Sequence, residues 1–203
     1  MTKVSKDFWT DGKELFPNYE LDATKQLRVA FVGAARSGKD TLADSLTTSM
    51  GLRWYEHTSI AFANALKELY ATSFSHIETT SKPRDALVTL GNAYRAVDPL
   101  YWIRALDKTF QDFKDNPSNK LITVTDVRYP NEVKWCRDNG FVIIKVTASP
   151  EMRRQRAMLL GERLDTSNDG DTHIDNLAYD YEIVNGDLNE AITELSDIIK
   201  LYI

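Results

Sequence analysis

The chain has 203 residues, 42% hydrophobic and 27% charged, with a net charge of −5. That length suits one α/β domain with a sizeable core, and the composition excludes both a disordered chain and a membrane-embedded one. The negative balance argues against a bulk nucleic-acid binder, so an anionic ligand must be met by arginines gathered locally.

Residues 1–25 carry no regular period but hold Phe8, Trp9, Phe16 and Tyr19, too aromatic for a fully disordered tail. They read as an N-terminal extension packed partly on the surface of one domain spanning 26–203. An exposed aromatic segment of this kind is also a natural contact for a homodimer. The first strand is the apolar run at 27–33, and a helix follows over 38–50. Between them stands Gly33-Ala34-Ala35-Arg36-Ser37-Gly38-Lys39-Asp40-Thr41. This is a phosphate-binding loop in its required context. Glycines let backbone N–H groups turn inward, the next helix presents its positive end, and Lys39 reaches the outer phosphates. The position after the lysine, where a hydroxyl usually meets magnesium, is Asp40, and the hydroxyl is delayed to Thr41. Either residue is a candidate Mg²⁺ ligand.

A short second strand is expected over 53–57, then a helix from Ile60 to Tyr70 capped by Ser59. A polar linker covers 73–81. Two helices follow at about 83–95 and 99–114, the second started by Pro99. A turn at 115–119 leads to the β-branched strand 121–126. Next come a helix from Pro130 to Asn139, ended by Gly140, and a strand over 141–146. A helix at 150–160, a polar loop at 161–176, a strand at 181–184 and a helix at 188–201 complete the chain. Cys136 falls in a helical apolar pattern and reads as core. A single cysteine excludes an internal disulfide, and no apolar run approaches the roughly 18 residues of a membrane span. With no signal-peptide core at the start, these features point to the cytoplasm and away from a membrane. Strands alternating with helices imply a parallel sheet, with ligands beyond the carboxyl ends of the strands.

Three further groups carry chemistry. Asp126-Val127-Arg128 ends the strand expected beside the phosphate loop; an acid there can hold magnesium through water or accept a proton, and Arg128 suits phosphate. Arg84, Arg95 and Arg104 lie in the middle helices; the first two are candidates for phosphate and the third fits a solvated face. Arg153, Arg154, Arg156 and Arg163 flank the polar loop, the pattern of a closing lid, with Arg156 and Arg163 the candidates to stabilise transferring charge. His173 follows that loop and is a better site candidate than His57 or His76, which read as surface or turn residues. No spacing supports zinc, and no Ser-His-Asp set can be argued.

The chain resembles the phage-type deoxynucleoside monophosphate kinases of the P-loop nucleoside monophosphate kinase superfamily. The matching pieces are 36–41, Ala-Phe-Ala-Asn-Ala-Leu-Lys at 61–67, 90–103, Thr-Asp-Val-Arg-Tyr-Pro-Asn-Glu at 125–132, Asp-Thr-His-Ile at 171–174 and Asn-Gly-Asp-Leu at 185–188. They occur in family order, and Lys-Asp-Thr is that family's usual spelling.

The resemblance implies a P-loop NTPase fold with a five-stranded parallel sheet, acceptor-binding helices over about 59–114 and a lid over about 150–176. It implies transfer of the γ-phosphate of ATP, with Mg²⁺, to a deoxynucleoside monophosphate, in the host cytoplasm if phage-encoded. Carried over by residue, Gly33, Ala35, Arg36, Ser37, Gly38, Lys39, Asp40 and Thr41 would hold ATP phosphates and magnesium. Asn185, Gly186 and Asp187 would border the adenine. Phe62, Lys67, Arg84, Arg95, Trp102, Arg128 and His173 would meet the acceptor, with Asp126 between donor and acceptor as a further metal candidate. Where relatives often carry a glutamate after the histidine, this chain has Asp175-Asn176. A kinase for dephospho-coenzyme A or phosphomevalonate shares such a loop. A non-catalytic nucleotide switch would need the loop but not the surplus arginines.

Overall fold

The computed structural model describes residues 25–77, 83–162, 164 and 174–203. Residues 1–24 of the expected N-terminal extension (1–25), most of the polar lid loop, Arg163 and His173 lie outside the described residues.

Five strands form one parallel sheet: β1 (Leu27–Val32), β2 (His57–Ile60), β3 (Leu121–Val127), β4 (Val142–Thr147) and β5 (Tyr181–Val184), in the order β2-β3-β1-β4-β5. Among the described residues seven α-helices connect or flank them: α1 (Lys39–Ser49), α2 (Ala63–Ser73), α3 (Arg84–Val97), α4 (Tyr101–Lys114), α5 (Pro130–Asp138), α6 (Pro150–Leu159) and α7 (Leu188–Ile199). This is the P-loop NTPase fold, with the phosphate loop leaving the central strand.

Residues alternate along β1 between two cores, as strand geometry requires. Val29 and Phe31 join Leu42 and Leu46 of α1 and Leu195 and Ile199 of α7 on one face. Ala30 and Val32 join Phe110 of α4 and Cys136 of α5 on the other. Both faces are covered, which explains why β1, β3 and β4 read as near-continuous apolar runs. Burial also pushes the Cys136 thiol pKa up, consistent with a core side chain and against a nucleophile.

The second strand departs from the sequence expectation. It runs over 57–60, not 53–57, because its pairing partner decides: His57 pairs with Leu121 and Ile60 with Val124. The 53–56 stretch instead forms a turn in which the Glu56 carboxylate accepts the Arg53 N–H at 2.9 Å. Ser59 therefore lies inside β2 and caps nothing. His57, expected at the surface or in a turn, is half-buried, its ring between Thr47 Oγ1 (3.2 Å) and Thr123 Oγ1 (2.9 Å). Burial holds its pKa below the ordinary value. Helix α4 begins at Tyr101, after Pro99 rather than on it.

Candidate functional site

β1 ends at Val32 and the chain turns through the glycine-rich loop into α1. Two positions in that loop admit only glycine. A side chain on Gly33 would collide with the Val146 carbonyl of the neighbouring strand. Gly38 has φ +100° and lies against the Asn185 amide. Arg36 adopts φ +66°, a left-handed conformation rare outside glycine and typical of strain held at a working loop. Gly38 is the N-cap of α1 and provides no side-chain cap, so the positive helix end is left to the loop itself.

The Lys39 ammonium is buried in this turn and donates to the carbonyls of Gly33 (2.5 Å) and Ala34 (2.9 Å). Ser37 Oγ and Arg36 Nε are buried, with no hydrogen-bond partner among the described residues. Unsatisfied polar atoms of this kind are rare in folded proteins and fit a loop built to receive phosphate oxygens.

From the other side, α6 and β5 clamp the loop. Arg153 Nε donates to the Ala35 carbonyl at 2.7 Å. Arg156 donates to the Ser37 carbonyl at 3.0 Å and to the Asn185 carbonyl at 3.1 Å. The Asn185 amide, buried, donates to Ser37 O at 2.9 Å. Arg156 is thus committed to backbone carbonyls behind the loop and does not border the cavity described next. Asp187 caps α7 through the N–H groups of Asn189 (2.8 Å) and Glu190 (3.1 Å), while Gly186 follows β5.

In front of the loop lies a cavity of about 310 Å³. Arg36, Lys39 and Asp40 form its loop end. Phe62, Leu66 and Lys67 of the α2 segment, Arg84, Val88 and Arg95 of α3, and Trp102 of α4 form its walls. Asp126, Arg128 and Glu132 form its floor. The fold therefore brings Lys39, Asp40, Phe62, Lys67, Arg84, Arg95, Trp102, Asp126 and Arg128 around one space. Thr41 is exposed on the first turn of α1 and does not border it. Arg104 sits apart, mostly exposed and paired with Asp98.

Asp126 stands where the sequence places it, at the end of β3 beside β1, and there it caps α2. Its Oδ1 accepts the Phe62 N–H and its Oδ2 the Ala63 N–H, both at 2.9 Å. Desolvation pushes its carboxyl pKa up, against the pull of those two donors. Each oxygen keeps a second lone pair, so the residue can still accept a proton or a water ligand.

Glu132 is a site residue that the sequence reasoning did not single out. It is buried at 2% exposure. One oxygen accepts the N–H groups of Arg128 (2.8 Å) and Tyr129 (3.2 Å), capping α5. The other faces Arg95 at 3.5 Å. The Arg95 guanidinium also lies 4.2 Å over the Tyr129 ring. Burial, then the neighbouring Asp126 charge, pushes the Glu132 pKa up to about 7. Its only sequence signal was a glutamate at the third helical position after Tyr129-Pro130.

Glu162 lies just beyond α6. One of its oxygens meets both Arg36 of the loop and Arg84 of α3, so a carboxylate bridges two of the arginines that border the cavity. Among the described residues, no group of three or more His, Cys, Asp or Glu could hold a metal by protein ligands alone. A magnesium ion carried by bound phosphates needs only one or two protein ligands and fits Asp40 at the loop end. No helix among the described residues is long and apolar enough to cross a membrane.

No protein-family model and no curated protein matches the chain. Among solved structures it is similar to TT1252 from Thermus thermophilus, at 16% identity over 88% of this chain and 99% of that one, with a TM-score of 0.52. It is also similar to shikimate kinase from Bacteroides thetaiotaomicron (11% identity, 86% and 98% covered, TM-score 0.48). A third match is shikimate kinase from Acinetobacter baumannii in complex with shikimate (10% identity, 87% and 92% covered, TM-score 0.47). At these identities the likeness is one of fold.

Proposed function

We propose that the protein is a phosphotransferase that moves the γ-phosphate of ATP to a deoxynucleoside monophosphate. One observation carries the reading: a phosphate loop and four cations from other elements, Lys67, Arg84, Arg95 and Arg128, border the same cavity. A binding switch needs the loop alone, whereas transfer needs a second anionic substrate in line with the first.

In this reading the loop and Lys39 hold the donor phosphates. Arg84, Arg95 and Lys67 hold the acceptor, and Arg128 stabilises charge on the group in transit. Phe62 and Trp102 give the acceptor site apolar walls. Asp126 positions α2, and with it Phe62 and Lys67, while remaining able to accept a proton from the acceptor phosphate. Asp40, which borders the cavity where Thr41 does not, would hold Mg²⁺, which supplies charge neutralisation at the outer phosphates. Arg156 contributes by fixing the loop, and the bordering Asn185 supports the same turn.

A coupled ADP-release assay across the four deoxynucleoside monophosphates, dephospho-coenzyme A and phosphomevalonate tests this. Turnover with at least one deoxynucleoside monophosphate is expected. Turnover with only the other acceptors, or with none, overturns it.

A further inference from the structure

Helix α3 presents one face to the cavity, spaced by three and four residues: Arg84, Val88, Asn92 and Arg95. The arginines at either end suit anions and Val88 suits apolar surface. Asn92 is the odd member of the set. It borders the cavity, half-buried, and its amide has no hydrogen-bond partner among the described residues. The helix around it is held by close packing. Gly91 brings α2 against α3, since a Cβ there would lie 3.2 Å from Leu66 Cδ2. The Gly91 carbonyl in turn accepts Trp102 Nε1 at 3.1 Å, which locks the indole beside the same wall.

We infer that Asn92 is the residue that reads the base of the acceptor. The inference rests on the nucleotide reading above and deepens it. A carboxamide presents one donor and one acceptor side by side, matched to the hydrogen-bonding edge of a nucleobase. Among the uncharged residues of this wall, Leu66, Leu87, Val88 and Trp102, it is the one with a free hydrogen-bonding edge, since the Trp102 indole N–H is already given to Gly91. The cost of leaving such an amide unpaired gives it discriminating force.

The chemistry makes a directional test. Replacing the amide by a carboxylate turns its donor into a second acceptor. Guanine offers two adjacent donors, N1–H and the 2-amino group, which a carboxylate accepts together. Thymine offers one donor flanked by two carbonyls, which a carboxylate repels. Steady-state kinetics with ATP would be measured for the wild type, Asn92→Asp and Asn92→Leu on dGMP, dTMP, dAMP and dCMP, with thermal melts to verify folding. Asn92→Asp should shift the dGMP to dTMP ratio of kcat/KM towards dGMP by about tenfold or more. Asn92→Leu, at a helical position that leucine tolerates, should raise acceptor KM about tenfold while the ATP KM stays within about twofold. Ratios within about twofold of wild type in both folded variants overturn the inference while leaving the nucleotide reading intact. A wild type inactive on all four acceptors overturns both.

Discussion

Glu132→Gln isolates a titration that the structure ties to stability. The carboxyl ionises near 4.5 when unfolded, and burial with the Asp126 charge raises it to about 7 in the fold. Below pH 4.5 both states hold the proton and the stabilising difference is fully present. Between 4.5 and 7 the unfolded chain releases the proton and the folded one keeps it, so stability falls as pH rises; above 7 the contribution is gone. The gap of about 2.5 units corresponds to about 3 kcal/mol, approached at a slope of at most about 1.4 kcal/mol per pH unit. Glutamine keeps an oxygen for the Arg128 and Tyr129 N–H groups but does not titrate. The variant should therefore gain on the wild type by about 3 kcal/mol between pH 4.5 and 8, whatever the offset from its weaker contact with Arg95. Urea unfolding at four pH values, followed by tryptophan fluorescence, measures this. The Asp126 carboxyl shifts in the same direction and is present in both proteins, so the difference reports Glu132. A difference flat to within about 0.5 kcal/mol across that range would refute the buried-carboxyl argument.

Three other outcomes are expected. Lys39→Ala should lower turnover by about 10³-fold or more in a variant that still folds, since in the proposed reading its ammonium neutralises the outer phosphates; near-normal turnover would remove the loop from the chemistry. Asp126→Asn replaces one of the two oxygens that accept the Phe62 and Ala63 N–H groups, and should destabilise the fold by about 1–3 kcal/mol in chemical denaturation. An unchanged midpoint would mean α2 does not depend on that cap. Glu162→Gln releases Arg36 and Arg84 from a pair about one-third exposed, so its effect is small: ATP or acceptor affinity, read by calorimetry, should rise by up to about fivefold. Weaker binding in that variant would show that Glu162 supports the site and does not compete for its arginines.

The phosphate loop, the parallel sheet and the position of Asp126 at the end of β3 were legible in the sequence because each is a local pattern. Gly33 to Thr41 carry their own turn chemistry, and the apolar runs of β1, β3 and β4 record burial on both faces. Strand β2 was misplaced by about one turn of chain because its residues lack a strong period, and pairing with β3 decides its register. The roles that depend on distant partners could be settled only by the tertiary structure. Asp126 became a helix cap through contacts 63 and 64 residues away in sequence. Arg156 turned to loop carbonyls 119 and 120 residues away, and Glu132 acquired its meaning from Arg95 on another helix. Sequence spacing fixes which residues share a face of one element. Which polar partner a side chain meets across elements is decided by packing, because burial obliges each charged or hydrogen-bonding group to find a partner wherever the fold provides one.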